Sequence, residues 1–139
     1  MRSYFAAATL AAFMLAACGQ QGAPTADSSG EAARSLADTG RTAFSACAIC
    51  HSTKDPAQPG YAPMVGPSLF GVYGAKSGHI ADYSYSQAMR EAGVTWDDAS
   101  LDGFIANPQQ IIPRTRMAFV GEPDAAKREA IIAYLKTLK

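Results

Sequence analysis

The chain has few of the residues that commonly hold a small domain together or bind metals. Its 139 residues include only three cysteines and two histidines, and its twelve Lys and Arg are balanced by twelve Asp and Glu. A chain with no excess of positive charge offers no basic surface for nucleic acid. No segment shows the alternation of apolar and polar residues that is typical of a half-buried strand. These absences leave a small helical domain whose chemistry is concentrated in few side chains.

One short segment carries most of that chemistry. Cys47-Ala48-Ile49-Cys50-His51 has two cysteines three positions apart, followed at once by a histidine, which is the pattern of covalent haem attachment. On one helical turn the two thiols can reach the two vinyl groups of a haem edge, while the adjacent imidazole reaches the iron. The sequence therefore predicts one covalently attached haem c.

Three other interpretations of this segment are weaker. A zinc site needs four ligands, and His79 is the only other histidine. A thioredoxin-like redox pair stands at the start of a helix that follows a strand, whereas the residues before Cys47 have a helical pattern. A disulfide between Cys47 and Cys50 would close a very small loop and stabilise little.

The first residues indicate export. Arg2 gives a positive start, the apolar run from Tyr4 to Leu15 is too short to span a bilayer, and small residues follow. The end of this segment resembles the lipobox of bacterial lipoproteins, which predicts a signal peptide over residues 1–17 and lipidation of Cys18. The alternative is an ordinary cleaved signal peptide with an incidental cysteine. The lipoprotein interpretation places the chain at the periplasmic side of a bacterial membrane, held by its lipid anchor.

Two regions follow Cys18. Residues 18–35 are mostly Gly, Ala, Gln, Ser, Thr, Pro and Asp, which predicts a flexible tether. Residues 36–139 match the size of one small domain. With one cysteine assigned to lipid and two to haem, none is left for a disulfide.

The domain has a helical pattern throughout, so we expect an all-α fold with long loops. One helix should run from Leu36 into the haem motif. Short helices are expected over Tyr85 to Ala92, with Ser84 as N-cap, and from Asp97 or Asp98 to a point before Pro108. The last helix should have Pro123 at its first position and an apolar stripe formed by Ile131, Tyr134, Leu135 and Leu138.

Several motifs outside the haem segment carry a family resemblance. Gly40 and Phe44 precede the haem motif, Gly66-Pro67-Ser68-Leu69 follows it, and residues 112–119 read Ile-Pro-Arg-Thr-Arg-Met-Ala-Phe. With these motifs, the chain from about Asp38 to Leu138 resembles a class I cytochrome c of the mitochondrial and alphaproteobacterial type. The resemblance implies short helices and long loops wrapped around one haem.

The resemblance also implies roles for individual residues. Met117 would be the second axial ligand opposite His51, and the carbonyl of Pro67 would accept a hydrogen bond from the His51 ring and orient it. Tyr85 and Trp96 would hydrogen-bond a buried haem propionate. His79 is interpreted as a histidine of a surface loop. No general acid or base is evident, so we expect an electron-transfer protein rather than an enzyme.

Four features depart from the family pattern. The loop between His51 and Pro67 is a few residues longer than in the short mitochondrial form. Phe104 stands where many relatives have a tyrosine, Met89 replaces an asparagine, and Arg114 replaces a glycine in the methionine loop. We expect the change at position 104 to affect the potential and the stability of the methionine ligand.

The expected function is one-electron transfer by a monomer. Its redox partners would be a quinol-oxidising complex or dehydrogenase as donor and an oxidase or reductase as acceptor. Two alternatives stay open: a haem enzyme or gas sensor in which the methionine dissociates, and a dedicated cytochrome subunit of a periplasmic dehydrogenase.

Overall fold

A computed structural model describes residues 26–139, and it is helical with long connecting loops. Over these residues the chain forms no strand, only an isolated bridge between Lys76 and Thr95. This confirms the all-α fold class. The helices are α1 (Ala26–Ala43), a 3₁₀ turn (Phe44–Ala46), α2 (Gln87–Glu91), α3 (Asp98–Ala106), α4 (Pro108–Ile111) and α5 (Ala125–Leu135).

The first and last helices cross closely. A Cβ atom on Gly40 would lie 1.8 Å from the carbonyl oxygen of Ala130 and 2.9 Å from Cβ of Tyr134, so only glycine allows this approach. Beside the crossing, the rings of Phe44 and Tyr134 meet edge to face with centroids 5.3 Å apart. The glycine and the aromatic pair therefore determine how α1 lies across α5.

The beginning of α1 differs from the expected tether. The sequence predicts a flexible segment over residues 18–35, whereas α1 begins at Ala26. Residues 31–35 are exposed, so this part of the helix is not held by packing. Its alanines, glutamate and arginine are good helix formers, and local propensity accounts for the difference. The predicted signal peptide 1–17 and Cys18 lie outside the described residues.

The middle helices begin at side-chain caps. Ser86, rather than Ser84, caps α2 by accepting a hydrogen bond from the backbone of Met89. Asp97 caps α3 in a reciprocal pair with Ser100. Helix α3 ends before Pro108 as predicted, but that proline then opens the short helix α4, since proline is well suited to a first helical position.

Helix α5 begins two residues later than expected. Asp124 is its N-cap and accepts hydrogen bonds from the backbone of Ala126 and Lys127, so Pro123 lies before the helix. The predicted apolar stripe is largely confirmed, with Ile131, Tyr134 and Leu135 buried and Leu138 half-buried against the core. None of the helices among residues 26–139 is long and apolar enough to cross a membrane.

Candidate haem-binding site

One side of the domain contains a cavity of about 340 Å³. Its wall is mainly apolar and comes from the haem motif, the loops that follow it, α2, α3, α5 and the methionine loop. All seven of the residues expected at the haem line this cavity: Cys47, Cys50, His51, Pro67, Tyr85, Trp96 and Met117. The fold thus brings together residues that are up to seventy positions apart.

The two cysteines lie on a tight turn at the edge of the cavity. The turn is closed by hydrogen bonds from the amides of Cys50 and His51 to the carbonyl of Cys47, at 3.0 and 2.9 Å. Both cysteines have free thiols and are half-buried. Burial raises the pKa of the Cys47 thiol, and the carboxylate of Glu122 raises it further. Two free thiols on one turn beside a cavity meet the requirement for two thioether bonds.

The His51 ring is held at one nitrogen. Its Nδ1 lies 2.8 Å from the carbonyl oxygen of Pro67. Because a carbonyl can only accept, this bond requires the proton on Nδ1, which leaves the lone pair of Nε2 free for a metal. Burial lowers the pKa of His51, partly offset by the Pro67 bond. The neutral ring that results is the form that binds iron.

Gly66 sets the distance between the His51 ring and the following loop. A Cβ at this position would lie 2.5 Å from Cε1 and 2.7 Å from Nδ1 of His51. The amide of Gly66 also donates to the carbonyl of Cys50 at 2.8 Å. Ser68, fully buried, donates to the carbonyl of Lys54 at 2.7 Å and accepts from the amide of Phe70. The glycine leaves room for the ring, and the serine holds the loop that carries Pro67.

The loop with Met117 is supported from α4. Gln109 donates from its amide nitrogen to the carbonyl of Thr115 at 3.0 Å and accepts from the backbone amide of Arg114 at 3.1 Å. Arg114 has a φ of +68°, and it is the only non-glycine residue with positive φ in the part of the chain that the structure describes. The arginine therefore keeps the left-handed backbone that a glycine adopts readily. Met117 is half-buried on the cavity wall.

Two apolar side chains form part of the cavity wall. Phe104 and Met89 are buried and line the cavity. Phe104 packs against Trp96 with ring centroids 4.9 Å apart. Neither side chain can donate a hydrogen bond to the Met117 sulfur or hold an internal water.

Tyr85 and Trp96 differ in how they are held. The Tyr85 hydroxyl accepts a hydrogen bond from the amide of Ile80 at 3.4 Å, and its ring meets Tyr83 edge to face. Burial raises the pKa of Tyr85. Trp96 is 4% exposed, and its indole makes no hydrogen bond to any residue from 26 to 139. Both rings line the cavity, and their donor role toward a propionate stays a prediction.

His79 lies in a loop and is partly exposed, as the sequence analysis expects, but its side chain also lines the cavity. Its Nε2 lies 3.3 Å from the carbonyl oxygen of Phe70. Gly78 precedes it with a φ of +77°, and this left-handed residue turns the loop inward. Sequence reasoning missed the position because a glycine-histidine pair in a loop indicates a turn but not its direction.

The residues present fit a haem. The cavity offers apolar walls, two free thiols, an imidazole with one nitrogen held and the other free, and a thioether sulfur. Sulfur and imidazole donors of this kind bind iron at the centre of a porphyrin. A helical fold that carries this set of donors around one cavity defines a c-type cytochrome.

The family follows from comparison with known proteins. The family model of cytochrome c matches residues 37–139, and the chain belongs to the cytochrome c family. It is 41% identical to cytochrome c2 of Rhodomicrobium vannielii over 98 residues, which cover 70% of this chain and 75% of that protein. It is 46% identical to cytochrome c2 iso-1 of Magnetospirillum molischianum over 105 residues, 74% of this chain and 100% of that protein.

A solved structure shows the same fold. Cytochrome cH from Methylobacterium extorquens is similar with a TM-score of 0.65 and 43% sequence identity, over 73% of this chain and 97% of that protein. The chain is therefore a class I cytochrome c with one covalently attached haem, and it carries electrons.

Proposed function

We propose that this cytochrome is a membrane-tethered shuttle that moves single electrons at the periplasmic surface. The observation that carries the redox part is the pair of axial donors facing one cavity: the His51 ring held by Pro67, and Met117 on the supported loop. Two protein ligands close the iron to outside molecules and favour electron transfer over substrate chemistry. His51 and Met117 are the proposed axial ligands, and Cys47 and Cys50 the attachment sites.

The surrounding residues keep the ligands in place through both oxidation states. The Pro67 carbonyl orients the imidazole and makes it a stronger donor. Gln109 holds the backbone of the methionine loop just before Met117, at Arg114 and Thr115. When bound, the haem supplies a one-electron couple whose ferrous form is favoured by the soft thioether ligand. Little protein rearrangement accompanies the electron when both ligands are held in advance.

Partner contact is proposed at the mouth of the cavity. Ile49 and Val65 both line the cavity and are 77% and 83% exposed. The hydroxyl of Tyr83 donates to the Val65 carbonyl at 2.6 Å, which holds this edge in place. Arg116 is exposed on the same wall and has no ion pair with any residue from 26 to 139. An apolar patch with an unpaired cation suits a partner that presents an apolar patch beside a carboxylate.

The tether is proposed from the sequence. Lipidated Cys18 would hold the chain at the membrane, and α1 would extend the domain from residues 18–25. Holding the cytochrome in the plane of its partners raises their effective concentration. The donor is a quinol-oxidising complex or a dehydrogenase, and the acceptor is an oxidase or reductase in the same membrane.

The axial ligands are tested by absorption spectroscopy of the ferric and ferrous holoprotein beside Met117→Ala. We expect the weak far-red sulfur-to-iron band in the ferric wild type and its loss in the variant. Met64→Ala is the matched control, because Met64 does not line the cavity and its loss should leave the band unchanged. A wild-type spectrum that lacks the band and has a high-spin open site contradicts the proposal.

The tether is tested separately by Cys18→Ser. We expect wild-type protein in the membrane fraction and the variant in the soluble periplasmic fraction, with unchanged haem spectra. Reduction by quinol in isolated membranes should be faster for the wild type than for the variant at equal concentration. Wild-type protein that is soluble contradicts the anchor, and tethered protein that exchanges electrons with no respiratory complex contradicts the shuttle.

A second candidate is a gas sensor or haem enzyme in which Met117 dissociates. The apolar side chains of Met89 and Phe104 on the cavity wall favour it, because neither can donate a hydrogen bond to the Met117 sulfur. Rapid binding of carbon monoxide to the ferrous protein at neutral pH would favour this candidate, and an inert ferrous spectrum would exclude it. Purification in a stable complex with a dehydrogenase would indicate a dedicated subunit instead of a shuttle.

A further inference from the structure

We propose that Arg128 is a positioning residue for the Met117 ligand, because its guanidinium holds the chain just after the methionine loop against α3 and α5. The proposal rests on Met117 as the axial ligand of the proposed function, and it does not depend on the tether or on any partner. Arg128 does not line the cavity, so it acts on the thioether through the backbone rather than by contact with the haem.

The side chain of Arg128 joins three parts of the fold. Its Nε and Nη2 donate to the two carboxylate oxygens of Asp102 on α3, at 2.7 and 3.4 Å. Its Nη1 donates to the backbone carbonyls of Glu122 and Pro123, at 3.0 and 2.9 Å. A guanidinium is planar and presents its donors in a fixed fork. These contacts therefore set the position of residues 122–123 relative to both α3 and α5.

The loop exit, residues 121–123, lies against the end of α3. The amide of Glu122 donates to the carbonyl of Ile105 at 2.9 Å. Gly121 has a φ of +107°, and a Cβ on it would lie 1.9 Å from the carbonyl oxygen of Ala106, so only glycine allows this approach. A displaced loop exit would lose these contacts, and Arg128 supplies the side-chain bonds that oppose its displacement.

The backbone is held differently on the two sides of Met117. Before it, Gln109 bonds to the backbone of the methionine loop. After it, residues 118–121 make no hydrogen bond to any residue from 26 to 139, although the Phe119 side chain packs on the core. Hydrogen bonds resume at the loop exit, which is the next point where the direction of the backbone is set. Arg128 is thus the counterpart of Gln109 on the other side of the ligand.

The loss of Arg128 would act mainly on the loop exit. The Arg128 side chain is 13% exposed, whereas that of Asp102 is 45% exposed, so water can solvate the carboxylate that is left alone. The carbonyls of Glu122 and Pro123 would lose a charged donor, and hydrogen bonds to charged groups are the stronger class. Lys127 pairs with the carboxylate of Glu122 at 4.0 Å and gives no bond to these carbonyls.

The consequence for the ligand follows from chain entropy. Met117 can leave the iron only if its loop takes up other conformations, and a loop held on both sides has fewer of them. Freeing the loop exit raises the entropy of the dissociated state and leaves the thioether itself unchanged. We therefore expect the fraction of ferrous protein with Met117 off the iron to rise when Arg128 is replaced.

The test compares Arg128→Gln with the wild-type holoprotein in two measurements. The first is the rate at which carbon monoxide binds the ferrous protein at neutral pH, which follows the fraction that has lost the methionine ligand. We expect an increase of at least about tenfold, which corresponds to about 1.4 kcal/mol. The second is urea unfolding, followed by the ferric far-red band and by circular dichroism of the helices. The gap between the two midpoints should be wider in the variant than in the wild type.

Lys136→Gln is the matched control. Lys136 at the end of α5 also pairs with α3, its Nζ lying 2.5 Å from Oδ1 of Asp98, but it makes no hydrogen bond to the loop exit. We expect this variant to lower the unfolding midpoint and to keep the wild-type rate of carbon monoxide binding. Asp102→Asn keeps Arg128 and removes the charge that orients it, so we expect a smaller increase in rate, at least about twofold. This milder variant decides the question if Arg128→Gln does not fold.

Equal carbon monoxide rates in Arg128→Gln and Lys136→Gln overturn the inference, as does a far-red band that is lost together with the helices in every variant. A rate in Asp102→Asn that is no higher than in the wild type also overturns it. These outcomes leave the proposed axial ligands intact. A wild-type ferric spectrum without the far-red band contradicts Met117 as a ligand and overturns this inference with it, whereas failure of the shuttle alone affects neither measurement.

Discussion

The helix crossing and the cavity wall differ in what completes their packing. Where α1 meets α5, the protein completes its own core: Gly40 admits the Ala130 carbonyl, and Phe44 fills the space beside Tyr134. Around the cavity, the loops that carry His51, Tyr85 and Met117 are packed on one side only. The difference shows that the helix pair is a scaffold set by side-chain packing, whereas the loops depend on the haem for their inner surface.

The largest expected effect comes from withholding the haem. Its absence should affect the loops around the cavity more than the helix crossing. A cavity of about 340 Å³ left empty costs about 8 kcal/mol at roughly 24 cal/mol per Å³, comparable with the whole stability of a small domain. Amide hydrogen exchange of the apoprotein should show loss of protection throughout the loops, with residual protection confined to α1 and α5. Loops protected as well as in the holoprotein would show that they fold on their own.

A methyl group at the helix crossing should have the next largest effect. Gly40→Ala places a Cβ 1.8 Å from the Ala130 carbonyl oxygen, so the helices must separate, at a cost of roughly 2–4 kcal/mol. Gly30→Ala is the matched control on the same helix, since nothing lies within 4 Å of its added Cβ; it should stabilise by about 0.5–1 kcal/mol. Urea unfolding of the two holoproteins measures both. Equal effects would show that the crossing tolerates separation.

The corresponding change at the cavity is Gly66→Ala. Its Cβ would lie 2.5 Å from the His51 ring, so the imidazole must move away from the Pro67 carbonyl, with a loss of about 1–3 kcal/mol. We expect a changed reduction potential and an altered ferric spectrum in addition to lower stability. Gly103→Ala is the control, because its Cβ meets only the flexible end of Ile111, at 3.2 Å. A variant with normal stability and potential would mean that the loop adjusts without moving the ring.

A smaller effect, a gain in stability, is expected from a substitution in the methionine loop. Arg114 has a φ of +68°, which costs a residue with a side chain about 1 kcal/mol relative to glycine. Arg114→Gly should recover up to that amount and slow the loss of Met117 from iron, measured as the midpoint of the far-red band in denaturant. Arg116→Gly, at ordinary φ in the same loop, should instead lower that midpoint. A lower midpoint for both would show that the arginine side chain matters more than its backbone strain.

The smallest expected effect concerns the ion pair between Asp98 and Lys136. Lys136 and then the Tyr73 hydroxyl lower the pKa of Asp98. A carboxylate with a lowered pKa stabilises the fold above its unfolded pKa of about 3.9, and this contribution is lost as the pH falls through the folded value. Asp98→Asn should therefore reduce the stability slightly at pH 7 and much less at pH 3. Equal effects of Asp98→Asn on urea unfolding at the two pH values would contradict this contribution.

A comparison of the predictions with the structure, residue by residue, shows which features sequence patterns can predict. The haem turn and the end of α3 before Pro108 follow from local chemistry, and the structure agrees with both. The cap of α2 was expected at Ser84, two residues before Ser86, because neighbouring side chains can cap equally well. The sequence indicates no direction for the loop at His79, because the positive φ at Gly78 depends on packing against α2.

By itself, the sequence determined which atoms are available to a haem: two thiols on one turn, one imidazole, and a thioether sixty-six positions later. These donors can be identified from residue type and short spacing, because local backbone geometry fixes how close residues a few positions apart lie. Only the tertiary structure decided that Gln109 supports the methionine loop, that Phe104 and Met89 line the cavity, and that His79 lies on its wall. Such contacts join segments far apart in the chain, and their geometry depends on how all the packed elements meet.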